Sequence, residues 1–252
     1  MIDPAALSPW LFLLAPLLII VAYTVFGLSG FGATIIAVPI LAHFLPVAYL
    51  VPLMALLDLA SSAIIGFKGR EHVSKPEMKR LLPFMLLGFI LGGTLLVGVP
   101  DRYLRAALGI FALAIGIHGI LNPVVRERIS AWWCIPAGIV GGVSSTTFGA
   151  GGPIYATYMS GRLTDKGQIR ASIATLILIS TFTRALVYAV TGLLLNFALL
   201  AGGALLAPFA WIGLKLGQRI HVGLTQEQLR RVLGVLIVLT GSSLVVRAAL
   251  SP

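Results

Sequence analysis

Residues 4–57 carry no Asp, Glu, Lys or Arg, and neither do residues 81–100, 106–125 or 129–161. A helix needs roughly 20 apolar residues to cross the hydrocarbon core, so several stretches of this chain are long enough. At 58% hydrophobic, 10% charged and a mean hydropathy of +1.02, the chain is too apolar for a soluble domain. These runs predict an all-α polytopic membrane protein. Nothing basic precedes the first run and no small-residue cleavage site stands out, so it reads as a retained helix and not as a secretory signal.

The chain also carries one passage twice. Ser29-Gly30-Phe31-Gly32-Ala33 lies near the start and Thr146-Thr147-Phe148-Gly149-Ala150 opens the second half, 148 − 31 = 117 residues on. A second correspondence runs at an offset of 125: Pro83, Gly88, Gly92, Gly98, Leu104, Leu108 and Gly109 match Pro208, Gly213, Gly217, Gly223, Leu229, Leu233 and Gly234. Duplicated apolar segments broken by glycine mark secondary transporters, which place their sites where the helices break. The expected organisation is one integral membrane domain of two repeats, 1–125 and 126–252. The first holds a hairpin over 10–45 and spans over 47–67, 80–98 and 102–121. The second holds a hairpin over 131–160 and spans over 169–191, 197–217 and 228–248.

The hairpins follow from length. The 33 uncharged residues between Arg128 and Arg162 exceed one span but fall short of two, which need about 40. Gly149, Gly151, Gly152 and Pro153 also interrupt this stretch. Each motif therefore reads as the tip of a helix-break-helix hairpin, with its freed backbone buried in protein or lining a cavity. The alternative is a pair of tilted helices packed closely through glycine. With the hairpins returning to their own sides, fourteen of the 18 Lys and Arg residues fall on one face; Arg102, Arg105 and Arg247 fall on the other and Arg184 within a span. The positive-inside rule makes the first face cytoplasmic and puts both termini outside. A hairpin plus three crossings is an odd unit, so the two halves have inverted topology.

The motifs are the strongest site candidates. At a helix break, backbone N–H groups are free and the N-terminal end carries partial positive charge. Ser29, Gly30, Phe31, Gly32 and Thr34 supply one set of such groups. Ser144, Ser145, Thr146, Thr147, Phe148, Gly149, Gly151 and Gly152 lie at the other. Such a pocket suits a small oxyanion, although the same glycines and hydroxyls also serve simple helix packing. Arg184 sits mid-span, where a charge costs roughly 2.5–3.5 kcal/mol, and its fork of donors fits an oxyanion. Asp58 lies mid-span in the repeat-related helix, at 184 − 58 = 126 residues. Two readings of Arg184 stand together: a substrate ligand, and a structural pair with Asp58. Asp58 is also a candidate carrier of a coupling proton, and His118 a candidate relay, although a histidine in a span more often bonds a neighbouring carbonyl. Tyr155, Tyr158 and Tyr188 are candidate pathway residues or packing groups.

The net charge of +10 is explained by topology and gives no sign of nucleic acid. The single cysteine, Cys134, excludes an internal disulfide and a cysteine-based metal cluster. No enzyme signature is present, and no cofactor or metal is expected. The partners expected are a small anion, the bilayer and protons.

Gly30-Phe31-Gly32 through Val38-Pro39, with the echo Thr146-Thr147-Phe148-Gly149-Ala150-Gly151-Gly152-Pro153, resembles the TauE/SafE sulfite-exporter family. The Asp58-Leu59-Ala60-Ser61-Ser62 stretch before a basic loop, and the two halves, extend the likeness along essentially the whole chain. The resemblance implies transport, usually export, of sulfite, organosulfonates or related anions across a bacterial inner membrane. Sulfite and sulfoacetate are the expected cargo class; a sulfur-free carboxylate, or an anion channel using the same pocket, are the alternatives. No nucleotide-binding motif supplies energy, so the anion gradient, the membrane potential or protons must drive flux. An inside-negative potential favours anion export.

Overall fold

The computed structural model describes residues 9–29, 32–65, 72–121, 128–219 and 226–250. Every regular element among them is helical. In chain order the helices are α1 (Pro9–Ser29), α2 (Ala33–Leu41), α3 (Val47–Ile65), α4 (Lys75–Gly98) and α5 (Asp101–Leu121). After a short 3₁₀ turn come α6 (Cys134–Phe148), α7 (Gly152–Arg162) and α8 (Lys166–Val190); a second such turn precedes α9 (Phe197–Arg219) and α10 (Gln226–Leu250). Five of these, α4, α5, α8, α9 and α10, are long and apolar enough to cross a membrane. α1 and α3 carry shorter apolar stretches, Leu13–Leu28 and Val47–Ser61.

Both expected breaks occur. α6 ends at Gly149, which takes the left-handed conformation at φ 72° and donates its N–H to Ser145 O at 2.9 Å. That is the usual αL cap, and it satisfies a carbonyl the helix leaves open. α7 then starts with Pro153 in its first turn, where a missing N–H costs nothing. The first break ends on Gly32, at φ 109° before α2; Gly30 and Phe31 lie outside the described residues.

Several boundaries differ from the sequence reading. α2 stops at Leu41, short of 45. Within the hairpin expected over 131–160, α6 runs from 134 to 148, so Thr146, Thr147 and Phe148 of the expected tip are helical. The helix continues because the first residue able to take positive φ cheaply is Gly149. α4 and α8 begin earlier than 80 and 169, at Lys75 and Lys166. Pro76 in the first turn starts one, and the Asp165 carboxylate accepts from Gln168 N at 2.6 Å to cap the other. Hydropathy misses such polar first turns because it weighs only the buried part of a span.

Three helix pairs make the closest packing: α4 with α6, α1 with α9, and α5 with α10. Glycine brings their backbones together. A Cβ on Gly88 would lie 2.4 Å from Ile139 O, and one on Gly213 2.4 Å from Ile20 O. In lipid, such close approach replaces the hydrophobic drive for association. α5 and α10 cross antiparallel, with Gly109 against Gly241 and Gly116 against Gly234.

Candidate functional site

Where the two breaks meet, the protein forms a partly open cavity of about 50 Å³. A water needs roughly 10–15 Å³ on this measure, so the space fits a few waters or one small oxyanion. Gly32 and Thr34 reach it from the start of α2, and Gly149, Gly151 and Gly152 from the second break. Asp58 enters from α3, while Ser180, Thr181 and Arg184 enter from α8. Two helices, α2 and α7, therefore present N-terminal ends to the same space, and such ends favour negative charge.

Asp58 and Arg184 are the charged residues lining this cavity. Arg184 is 3% exposed and its Nη2 donates to Asp58 Oδ2. The carboxylate also accepts from Thr34 Oγ1 at Oδ2 and from Tyr23 OH at Oδ1, each at 2.7 Å. Three donors on one buried carboxylate satisfy the desolvated charge, as a buried ion pair requires. The guanidinium is not fully used. Arg184 Nε has no partner, and neither does the hydroxyl of Tyr155, which is wholly buried and lines the same cavity. Unpaired buried donors are costly and rare in folded proteins. Two beside one cavity describe a site shaped for a hydrogen-bond acceptor.

Not every candidate from the sequence reaches this space. Ser145 does, and its hydroxyl is bonded to that of Ser180. Ser144, Thr146 and Thr147 direct their hydroxyls to backbone carbonyls, Ser144 to Val140 O, Thr146 to Gly142 O and Thr147 to Gly92 O. Phe148 packs against Phe111, ring centroids 5.4 Å apart. These residues hold α6 to its own turns and to its neighbours. His118 Nε2 lies 3.3 Å from Thr157 Oγ1, a hydroxyl and not the expected carbonyl, and it does not line the cavity. Tyr188 bonds Thr146 O and Tyr158 bonds Glu77 Oε2 at 2.6 Å, so these two are structural. Ser29 is the last described residue of α1; Gly30 and Phe31 lie outside the described residues. Among the described residues no group of three or more His, Cys, Asp or Glu side chains is placed to hold a metal.

Sequence reasoning missed Tyr23, Ser180 and Thr181. Each is an uncharged polar residue inside an apolar span, and only helix rotation decides whether such a group faces a cavity or lipid. The buried ionic cluster around Glu77 was missed too. Glu77 Oε1 accepts from Arg80 Nη1 at 2.9 Å and from Arg162 Nη2 at 2.8 Å, tying the end of α7 to the start of α4.

A bundle of apolar helices interrupted by two breaks that share a small, donor-rich cavity defines a membrane transporter. The chain belongs to the family described as sulfite exporter TauE/SafE, whose model matches residues 15–244. It is 24% identical over 193 residues to a probable inner membrane transporter protein TsaS of Comamonas testosteroni, covering 76% of this chain and 81% of that protein. No solved structure matches the chain.

Proposed function

We propose that this protein is a secondary transporter, working as an exporter, of a small sulfur oxyanion or organosulfonate, with the cavity between the two breaks as its binding site. One observation carries the reading: Arg184 Nε and Tyr155 OH are buried donors without partners, in residues lining a cavity where two helix N-termini converge. A cavity of about 50 Å³ favours sulfite over the bulkier sulfonates in this conformation. The backbone groups of Gly32, Gly149, Gly151 and Gly152, with Thr34 and Ser145, complete the proposed ligand set.

The architecture belongs to the same proposal. The two halves, 1–125 and 126–252, are inverted repeats, each a hairpin and three spans. Several contacts support this. Gly88 and Gly213, 125 residues apart, meet Ile139 O and Ile20 O, which are 139 − 20 = 119 apart. Gly92 and Gly217 meet Val143 O and Thr24 O, again 143 − 24 = 119 apart. By this register Phe148 stands opposite Ser29, two residues from the 117 offset of the motifs. The antiparallel glycine crossing of α5 and α10 is what an axis lying in the membrane plane requires, whereas an axis along the normal would make them parallel. The protein then resides in a bacterial inner membrane, as the name of the TsaS relative indicates for that protein. The cationic face is cytoplasmic and both termini are outside.

The test is binding of sulfite, sulfoacetate, taurine and a sulfur-free dicarboxylate to purified protein, beside Arg184→Ala. Saturable binding of a sulfur anion that the variant loses is the expected result. A variant that binds as well as the parent removes Arg184 from the site, and preference for the dicarboxylate overturns the substrate class.

A further inference from the structure

The anion site contains its own competitor. Nε–H and Nη2–H of an arginine point from the same edge of the guanidinium, the edge that grips an oxyanion in two-point fashion. In this cavity Nη2 is already held by Asp58 Oδ2, while Nε is left empty. An arriving anion that grips this edge must share Nη2 with a carboxylate that also holds Tyr23 and Thr34.

Charge makes the conflict sharper. Among residues lining the cavity, Asp58 and Arg184 sum to zero. A bound monoanion would set two negative charges against one guanidinium where both protein side chains are buried, and unpaired buried charge is strongly disfavoured. The N-terminal ends of α2 and α7 are partial charges, fixed whether or not the site is filled, and they soften this without supplying a full counter-charge. Among the described residues no other cation lines the cavity. The groups around Asp58 are Tyr23 from α1, Thr34 from α2, and Arg184 and Tyr188 from α8. α6 carries no charged residue, and the charges of α4, α5 and α9 lie in their end turns.

We infer that Asp58 is the proton site of this transporter, and that each monoanion crosses together with one proton. This rests on the functional reading above. In the empty protein the ion pair is closed and neutral. When an anion enters, Asp58 Oδ2 takes a proton from the solvent side, the bond to Nη2 opens, and Nη2 and Nε together receive the anion. Guanidinium plus anion is again neutral, and the proton stays on the carboxyl until the anion leaves. Release reverses both steps. Coupled in this way, the membrane potential does not pull on the cargo, in contrast to an uncoupled anion. Export follows the anion's own excess inside and removes acid with it.

The pH probe must carry no proton of its own, which makes methanesulfonate the choice; sulfite, itself protonated near neutral pH, serves only to show that the protein transports. Protein in liposomes is given an interior one pH unit more alkaline than the bath, with and without a potassium diffusion potential. The expected result is accumulation of methanesulfonate approaching about tenfold, alkalinisation of the bath in step with uptake, and no response to the potential. Asp58→Asn should abolish accumulation driven by the pH gradient, and Asp58→Glu should restore it. Flux that follows the potential and moves no protons in the parent protein overturns the inference, whatever the variants do. So does pH-driven accumulation that survives in Asp58→Asn. If neither probe moves or binds, the functional reading fails and this one with it.

Discussion

Gly149 stands at the tightest point of the site. Its φ of 72° is one that side-chain-bearing residues rarely adopt, and a Cβ there would lie 2.1 Å from Thr34 Cγ2 and 2.8 Å from Arg184 Nη1. The second break thus presses against both α2 and the guanidinium. Gly149→Ala is expected to displace Arg184 and to abolish sulfite binding, read by titration calorimetry on protein that still elutes as a single species. Tyr155→Phe removes a hydroxyl that has no partner in the empty site, so the fold should be indifferent while the anion loses a donor. Hydrogen bonds to a charged group are worth about 1.5–3 kcal/mol, so binding should weaken at least tenfold with the melting temperature unchanged. An unweakened Kd would mean that the hydroxyl faces no ligand. Arg184 and Asp58 were legible in the sequence because a charge inside an apolar run has few explanations. Tyr155 entered only as one of three tyrosines, since its bulk packs equally well in a core and its neighbours say nothing of which way it turns.

Helices in this protein are positioned by what glycine omits. Gly88 meets backbone atoms of α6, which cannot swing aside as a side chain can. Gly88→Val must therefore push α4 from α6, at a cost of about 1–3 kcal/mol or more. Gly98, with nothing within 4 Å of an added Cβ, is the control, and Gly98→Ala should be neutral within about 0.5 kcal/mol. Thermal unfolding of both variants in the same detergent checks the pair. A second device fixes the C-terminal end of α7. Glu77 is 5% exposed and holds Arg80, Arg162 and Tyr158 together, while Arg162 Nη1 also donates to Ile129 O at 2.8 Å. Glu77→Gln leaves two cations without their carboxylate and should destabilise the protein by about 3 kcal/mol. The breaks and most spans could be read from the chain, since glycine, proline and charge punctuate them. Their exact ends could not: Thr146 bonds back to Gly142 O within α6 while Thr147 bonds across to Gly92 O of α4, a choice the sequence leaves open. The Glu77 cluster was hidden for another reason: Arg162 and Tyr158 lie 85 and 81 residues away along the chain, and nothing in the sequence pairs either with Glu77.

Taken as a whole, the molecule divides along its closest packing. α1 is tied to α9, α2 packs on α1, α10 and α3, α6 is tied to α4 and α7 to α6 and α8, and the charged pair spans from α3 to α8 across the space between the two breaks. In the alternating-access reading proposed above, one set of helices rotates slightly against the other and opens the cavity to one side while closing it to the other. An anion channel with the same pocket needs no such rotation. The two differ in what happens on the far side of the membrane. In a carrier, a site that has released its cargo can return loaded with a second anion, so entry and exit exchange through one site. Unlabelled sulfite inside liposomes should then accelerate entry of labelled sulfite several-fold, and the labelled anion should transiently exceed its external concentration. Initial rates should saturate with external sulfite at the Kd scale found by calorimetry, because one cavity of about 50 Å³ takes one anion at a time. Rates that rise linearly with concentration and ignore the internal anion would describe a pore, and would make the rigid pairing of helices across the glycines the whole of the architecture's purpose.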